Sequence, residues 1–260
     1  MSLLLRLANR LILDNSTDAI DPEQRRRIAI PCGTDEIEAW VTESQPANSQ
    51  LPELFCLKFP GTGGRAERSG PHPAELLSPE HFQTWTINPP GYGTSTGMAC
   101  VSNMPIVCEA AWKSISQVAD GKPIVVTGNS LGGMYALYVA ARYPVAGVLL
   151  RNPAPVQQLI RGRYSWWNFG LANFVGRQVP AEMDAVQNSQ RCKSAALFVT
   201  SDSDRVIPVK YQKMIVDNYA GASSVFTIRD ADHHTPLPES QFDEYRLAVA
   251  EWAKQLNLSL

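Results

Sequence analysis

Residues 123–143 read Pro-Ile-Val-Val-Thr-Gly128-Asn129-Ser130-Leu131-Gly132-Gly133-Met134, then Tyr-Ala-Leu-Tyr-Val-Ala-Ala-Arg-Tyr143. The apolar, β-branched run Pro123 to Thr127 reads as a strand. The segment Leu131 to Tyr143 reads as a helix with Met134, Leu137, Tyr138 and Ala141 on one face, and Pro144 ends it. Between them lies a G-x-S-x-G turn. A serine on so sharp a strand-to-helix turn projects its hydroxyl above the start of the helix, provided that its neighbours are small enough for the two elements to approach.

Working outward, strand and helix alternate on both sides of this unit. Strands are expected at Arg27–Pro31, Ile37–Glu43, Leu54–Phe59, Gln83–Asn88, Val145–Leu150, Ala195–Thr200 and Ser224–Arg229, with helices at Pro105–Ala119, Val209–Tyr219 and about Pro238–Leu256. Such alternation implies an α/β protein with a doubly wound, mostly parallel sheet covered on both faces. Residues 153–190 break the pattern with Pro153, Pro155 and a basic, aromatic stretch from Arg161 to Phe174. The expected organisation is an N-terminal amphipathic helix and linker (1–26), a first core part (27–152), a short helical cap insertion (153–192) and a second core part (193–260). Leu3, Leu4, Leu7 and Leu11 fall at helical spacing, so the opening segment is expected to lie on the domain or on a partner.

Twenty-three basic residues stand against 25 acidic ones in 260, so no general positive field would draw in nucleic acid, and none is expected as a partner. Arg6 and Arg10 interrupt the first apolar run far below the length of a secretory or membrane-spanning segment. A cytoplasmic protein is expected, without membrane contact through its first helix; oligomeric state is left open. The cysteines Cys32, Cys56, Cys100, Cys108 and Cys192 show no zinc spacing and read as reduced, mostly buried thiols. No metal and no organic cofactor is expected.

A second G-x-S-x-G occurs at Gly93-Thr94-Ser95-Thr96-Gly97, after Pro89-Pro90-Gly91-Tyr92. No periodic helix follows it, so Ser95 reads as a loop serine and Ser130 as the candidate nucleophile. A serine hydroxyl needs a base. With the chain order Ser, acid, His expected of such a sheet, His72 and His81 come too early, which leaves His233 and His234. Strand Ala195–Thr200 runs into Ser201-Asp202-Ser203-Asp204, where Asp204 is the better placed orienting acid and Asp202 suits a helix cap. Backbone N–H groups of Leu131 and of Thr62, in the loop Pro60-Gly61-Thr62-Gly63-Gly64, fit an oxyanion site. The same loop reads Gly61-x-Gly63-x-x-Ala66, a partial dinucleotide fingerprint, which keeps an NAD-dependent oxidoreductase as a rival.

With these residues in place, the chain resembles the α/β-hydrolase superfamily, in its serine-hydrolase branch of esterase-like and α/β-hydrolase-domain proteins. The resemblance covers residues 27 to 255 and rests on 89–97, 128–133, Asp204-Arg205-Val206-Ile207-Pro208 and Ala231-Asp232-His233-His234. The family's triad histidine follows a turn of the Gly-x-Gly-His kind, and Asp230-Ala231-Asp232-His233 occupies that stretch, which favours His233. Two departures stand out: Pro60-Gly61 replaces the usual His-Gly, and aspartates replace the glycines before the base. The resemblance implies a serine hydrolase of the carboxylesterase or thioesterase kind, peptidases included. It would act on a small-molecule acyl substrate through Ser130, His233 and Asp204, with Trp166 and Trp167 as candidate acyl-pocket residues. A hydrolase-like binding or scaffold protein with little turnover is the alternative.

Overall fold

The computed structural model describes residues 1–44, 52–78, 80–164, 171–256 and 258. Eight strands form one sheet: β1 (Arg26–Cys32), β2 (Asp35–Glu43), β3 (Leu54–Phe59), β4 (Phe82–Asn88), β5 (Ile124–Asn129), β6 (Gly147–Arg151), β7 (Ala195–Ser201) and β8 (Ser223–Ile228). Their order is β1-β2-β4-β3-β5-β6-β7-β8. β2 runs antiparallel to β1 and β4, and every pair from β4 to β8 is parallel. The expected doubly wound, mostly parallel sheet is therefore present. The helices are α1 (Leu3–Ile12), α2 (Ala74–Leu77), α3 (Met104–Ala119), α4 (Gly132–Ala140), α5 (Val156–Tyr164), α6 (Leu171–Gly176), α7 (Ala185–Ser189), α8 (Val209–Val216) and α9 (Phe242–Ala253).

Alternation along the strands divides the core. Phe55, Leu57, Phe59, Val126, Val148, Leu150 and Phe198 point to the side of α3 and α4, together with Met104, Ile115 and Met134. Leu54, Cys56, Val125, Leu149, Leu197 and Val199 point the other way, onto α2 and α9 with Tyr245, Val249 and Trp252. Strands buried on both faces are what a parallel sheet with helical covers requires. Cys32, Cys56, Cys108 and Cys192 are buried in these layers.

Helix α1 forms where the leucine spacing placed it, but it is rotated relative to the stripe. Ala8 and Ile12 are buried and Leu5 and Leu7 pack against the core, whereas Leu3 and Leu11 face solvent at 82% and 66% exposure. Between β6 and β7, Val175, Val179, Met183, Ala185 and Cys192 join the core on the α4 side. Arg163, on the last turn of α5, donates to the carbonyls of Arg205 and Val206 at 3.2 and 3.1 Å. Trp166 and Trp167 lie outside the described residues. No described helix is long and apolar enough to cross a membrane.

Opposite the parallel half, a buried polar knot fixes the antiparallel edge. Glu38 of β2 is fully buried and accepts from Asn88 Nδ2 at 2.7 Å, Thr94 N at 3.1 Å, Thr94 Oγ1 at 2.5 Å and Arg27 Nε at 2.9 Å. Burial alone would raise the Glu38 pKa, but the hydrogen bonds from Thr94, Asn88 and Arg27 outweigh it and hold it at about 2. The rival serine belongs to this knot: Ser95 Oγ donates to Asn88 O at 2.8 Å and accepts from Glu38 N at 3.0 Å. An added methyl at Gly93, whose φ is +59°, would collide with Glu38 and Asn88.

Because its folded pKa lies below its unfolded one, Glu38 contributes stability above about pH 4.5, the ordinary glutamate range, and loses it as pH falls toward 2. Glu38→Gln should therefore destabilise the protein by about 3 kcal/mol at pH 7, the usual cost of breaking a buried ionic network. The Tm gap between wild type and variant should narrow progressively below pH 4.5; thermal melts from pH 7 to 2.5 measure it, and a pH-independent gap would contradict the ionic assignment.

Candidate active site

Ser130 follows β5 with φ +52°, in the left-handed region that a non-glycine residue enters only when its surroundings impose it. The imposing contacts are steric. A methyl at Gly132 would overlap the carbonyl oxygens of Phe59 and Pro60, and one at Gly128 would overlap the backbone of Gly132 and Gly133. The two flanking glycines thus let α4 start directly beneath β3 and β5. The Ser130 N–H donates to Arg151 O at 2.8 Å, so β6 holds the turn from the other side.

The Gly61–Gly64 turn, closed by Gly64 N to Gly61 O at 2.9 Å, lies against this elbow. A methyl on Gly61 would sit 3.5 Å from Ser130 Cβ. Thr62 is clamped from both sides: Tyr92 Oη donates to its carbonyl at 2.8 Å, and its own hydroxyl donates to Ile12 O at the end of α1. Neither Thr62 N–H nor Leu131 N–H has a hydrogen-bond partner among the described residues. Thr62 lines the same cleft as Ser130, and Leu131 follows Ser130 in the chain. The loop is followed by a short 3₁₀ turn, Ala66–Arg68, and not by a helix, so the dinucleotide fingerprint lacks the helix N-terminus that pyrophosphate binding needs.

At the ends of β7 and β8, Asp204 and His233 meet, with His233 Nδ1 2.7 Å from Asp204 Oδ2. Asp204 is 5% exposed and all its acceptor capacity is engaged. Its Oδ1 accepts the N–H groups of Val206 and Ile207 at 2.8 and 2.7 Å, and Gln212 Nε2 donates to Oδ2 at 3.0 Å. Capping the turn before α8 thus falls to Asp204 as well, and not to Asp202 as the sequence led one to expect. Asp202 instead accepts from Asp230 N and Ala231 N at 3.0 and 3.2 Å. Asp232 returns the arrangement, taking Arg205 N at 2.8 Å and His233 N at 2.7 Å. The backbone N–H groups of Arg205 and His233 hold the Asp232 carboxyl below its ordinary range, and that of Asp230 does the same for Asp202. The carboxylates of Asp202 and Asp232 therefore cross-link the acid loop to the histidine loop.

His234 is exposed and stacks edge-on against His233 with ring centroids 4.9 Å apart. Ser130, Thr62, Gly61, His233, His234, Asn152 and Arg151 all line one open cleft of about 540 Å³ at the carboxyl edge of the sheet. Within it Ser130 Oγ and the His233 ring are not directly hydrogen-bonded; such bonds commonly tighten only when substrate is present. Among the described residues no cluster of metal-ligating side chains occurs.

Several residues that shape the site carry no motif. Asn152, at φ +46°, donates to His233 O at 3.2 Å and to Ser201 Oγ at 3.1 Å, and so ties β6 to the histidine loop. Gln212 holds Asp204 from one turn inside α8, and Tyr92 holds Thr62. A proline after Asn152 and a buried-side glutamine in α8 are visible in the sequence, but their partners lie 81 and 8 residues away and only the fold joins them.

The "alpha/beta hydrolase fold" family profile matches residues 59–178, which span the Thr62 loop, the Ser130 elbow and the segment after β6. No curated protein sequence matches the chain. Among solved structures, the esterase PF2001 of Pyrococcus furiosus is 13% identical, with a TM-score of 0.69 over 94% of this chain and 96% of its own. A monoacylglycerol lipase of Paleococcus ferrophilus is 18% identical, with a TM-score of 0.61 over 84% and 99%. The acylaminoacyl peptidase of Pyrococcus horikoshii is 11% identical, with a TM-score of 0.71 over 91% of this chain and 42% of its own. At such identities the likeness carries the fold. Its sheet order, its elbow and these matches agree on the architecture: the chain has an α/β-hydrolase fold.

Proposed function

We propose that the protein is a serine hydrolase that cleaves an ester or related acyl bond through an acyl-enzyme. The observation that carries this reading is the strained Ser130 elbow opening into the same cleft as a histidine whose Nδ1 lies 2.7 Å from a buried aspartate. With Nδ1 engaged by Asp204, Nε2 of His233 is the atom left to accept a proton.

Ser130 Oγ attacks the carbonyl carbon while its proton passes to His233 Nε2. The carbonyl oxygen becomes an oxyanion that the N–H groups of Leu131 and Thr62 can receive, and Asp204 stabilises the imidazolium. Collapse breaks the bond to the leaving group, which takes the proton from His233 and departs. Water, deprotonated by the same imidazole, then attacks the acyl-Ser130 ester; the acid leaves and Ser130 is restored. Esters, thioesters and amides all fit this sequence, and the named activities of the structural neighbours, an esterase, a lipase and a peptidase, span that range. The helices after β6 would act as the cap, because Arg163 braces the Asp204 loop and a cover at this edge limits water.

Ser130→Ala should abolish labelling by a fluorophosphonate probe and lower turnover on the order of a millionfold. Ser95→Ala should keep the labelling and lose stability instead, since its hydroxyl is committed to Glu38 and Asn88. Gel fluorescence and ester hydrolysis measure both, and labelling that moves with Ser95 would sink the assignment.

His233→Ala should cost about as much as Ser130→Ala, because nucleophile and base act as a unit. His234→Ala, which removes an exposed ring without a polar partner among the described residues, should stay within about tenfold of wild type. Steady-state kinetics of the two variants decide; equal losses would contradict the choice of base.

A further inference from the structure

Beneath the elbow, on the α9 side of the sheet, lies a second cavity of about 280 Å³ that shares Asn129 and Arg151 with the Ser130 cleft. Its position follows from strand alternation: beyond Cys56, Val125 and Leu149, the next residues on that face are Lys58, Thr127 and Arg151, and Asn129 follows Thr127. The apolar layer thus gives way to polar groups at the carboxyl edge. His72, Glu75 and Tyr245 complete the polar lining.

Two cations face this space, and among the described residues neither is held in an ion pair, although Glu75 acts on Lys58 from a longer distance. Lys58 is 8% exposed, and among the described residues its ammonium donates to the carbonyls of Gly70 and His72, at 3.0 and 3.3 Å. Arg151 gives one Nη to Thr235 O, while its buried Nε has no partner. Glu75, exposed on α2, is the lining's carboxylate and forms no ion pair with either cation. His72 adds no negative charge: burial, then Lys58 and Arg151, push its pKa down to about 3, and its ring meets the Tyr245 hydroxyl. Burial likewise lowers the pKa values of Lys58 and Arg151. A half-buried guanidinium whose buried Nε–H has no partner among the described residues is matched when an anion arrives to receive it.

We propose that this cavity is an oxyanion subsite, in which Arg151 receives a carboxylate or phosphate carried by the substrate while Ser130 attacks the acyl group in the adjoining cleft. The proposal rests on the serine-hydrolase reading and narrows it to acyl compounds bearing an acidic group. Arg151 is suited to the role because its planar fork binds such groups through two parallel hydrogen bonds. Lys58 adds positive potential, and the Thr127 hydroxyl and Asn129 amide are placed to supplement it. The Thr235 contact also links Arg151 to the loop two residues past His233, so an anion held there would brace the base.

The test separates binding from chemistry. Titration calorimetry on the wild-type chain and on Ser130→Ala would compare glutarate, inorganic phosphate and the neutral diamide glutaramide. At least one oxyanion should bind tenfold or more tightly than the diamide in both proteins. Preference for glutarate marks a carboxylate site, and preference for phosphate a phosphoryl one. Arg151→Gln should lose at least tenfold of that affinity and Arg151→Lys less, with folding checked by Tm. If wild type hydrolyses esters, a 4-nitrophenyl hemiglutarate should exceed 4-nitrophenyl butyrate in kcat/KM by at least tenfold. Equal binding of the diamide and both oxyanions by wild type, or undiminished oxyanion affinity in a folded Arg151→Gln, would overturn the subsite. Absence of fluorophosphonate labelling would instead overturn the hydrolase reading, which the calorimetry on Ser130→Ala does not require.

Discussion

Everything at the site depends on one close approach, that of Gly132 to the carbonyl oxygens of Phe59 and Pro60. Because no side chain separates them, α4 can start directly under the ends of β3 and β5. Ser130 is then driven to φ +52°, and its N–H turns to Arg151 O. The same approach brings Gly61 against Ser130 Cβ, and Thr62 lines the cleft that Ser130 opens into. A left-handed serine costs on the order of 1–3 kcal/mol. The all-buried helix α4 and the strands on either side of the elbow hold it there.

The second dependency is electrostatic and runs through Asp204. One carboxylate closes the turn into α8 through Oδ1 and orients His233 through Oδ2, so the fold's local geometry and the candidate base share a single anchor. Asp202 and Asp232 then exchange hydrogen bonds between the two loops. These carboxylate–backbone contacts tie the loop after β7 to the loop after β8.

Much of this was legible in the sequence because it is local. Strand, turn and helix around Ser130 are contiguous, and the structure places Ser130 on the strand-to-helix elbow while Ser95 is 7% exposed and bonded inside the Glu38 knot. What escaped is long-range. The strand order that inserts β4 between β2 and β3 leaves no trace in periodicity. The leucine stripe of α1 misjudged the buried face, since apolar spacing says nothing of which side meets the domain; Ala8 and Ile12 were the contact. The cap expected of Asp202 fell to Asp204, because the backbone donors that engage Asp202, 28 and 29 residues away, were invisible along the chain. The cationic cavity unites residues 58, 72, 151 and 245, which no motif connects.

In the proposed reaction the elbow presents Ser130 as a nucleophile, and the Leu131 and Thr62 N–H groups, without partners among the described residues, receive the oxyanion. The most direct measurement is a crystal structure of the protein after reaction with a fluorophosphonate. The account predicts a covalent bond from Ser130 Oγ to phosphorus, with the phosphonyl oxygen within about 3 Å of both Leu131 N and Thr62 N. An adduct on another residue, or a phosphonyl oxygen turned to solvent away from both amides, would contradict it.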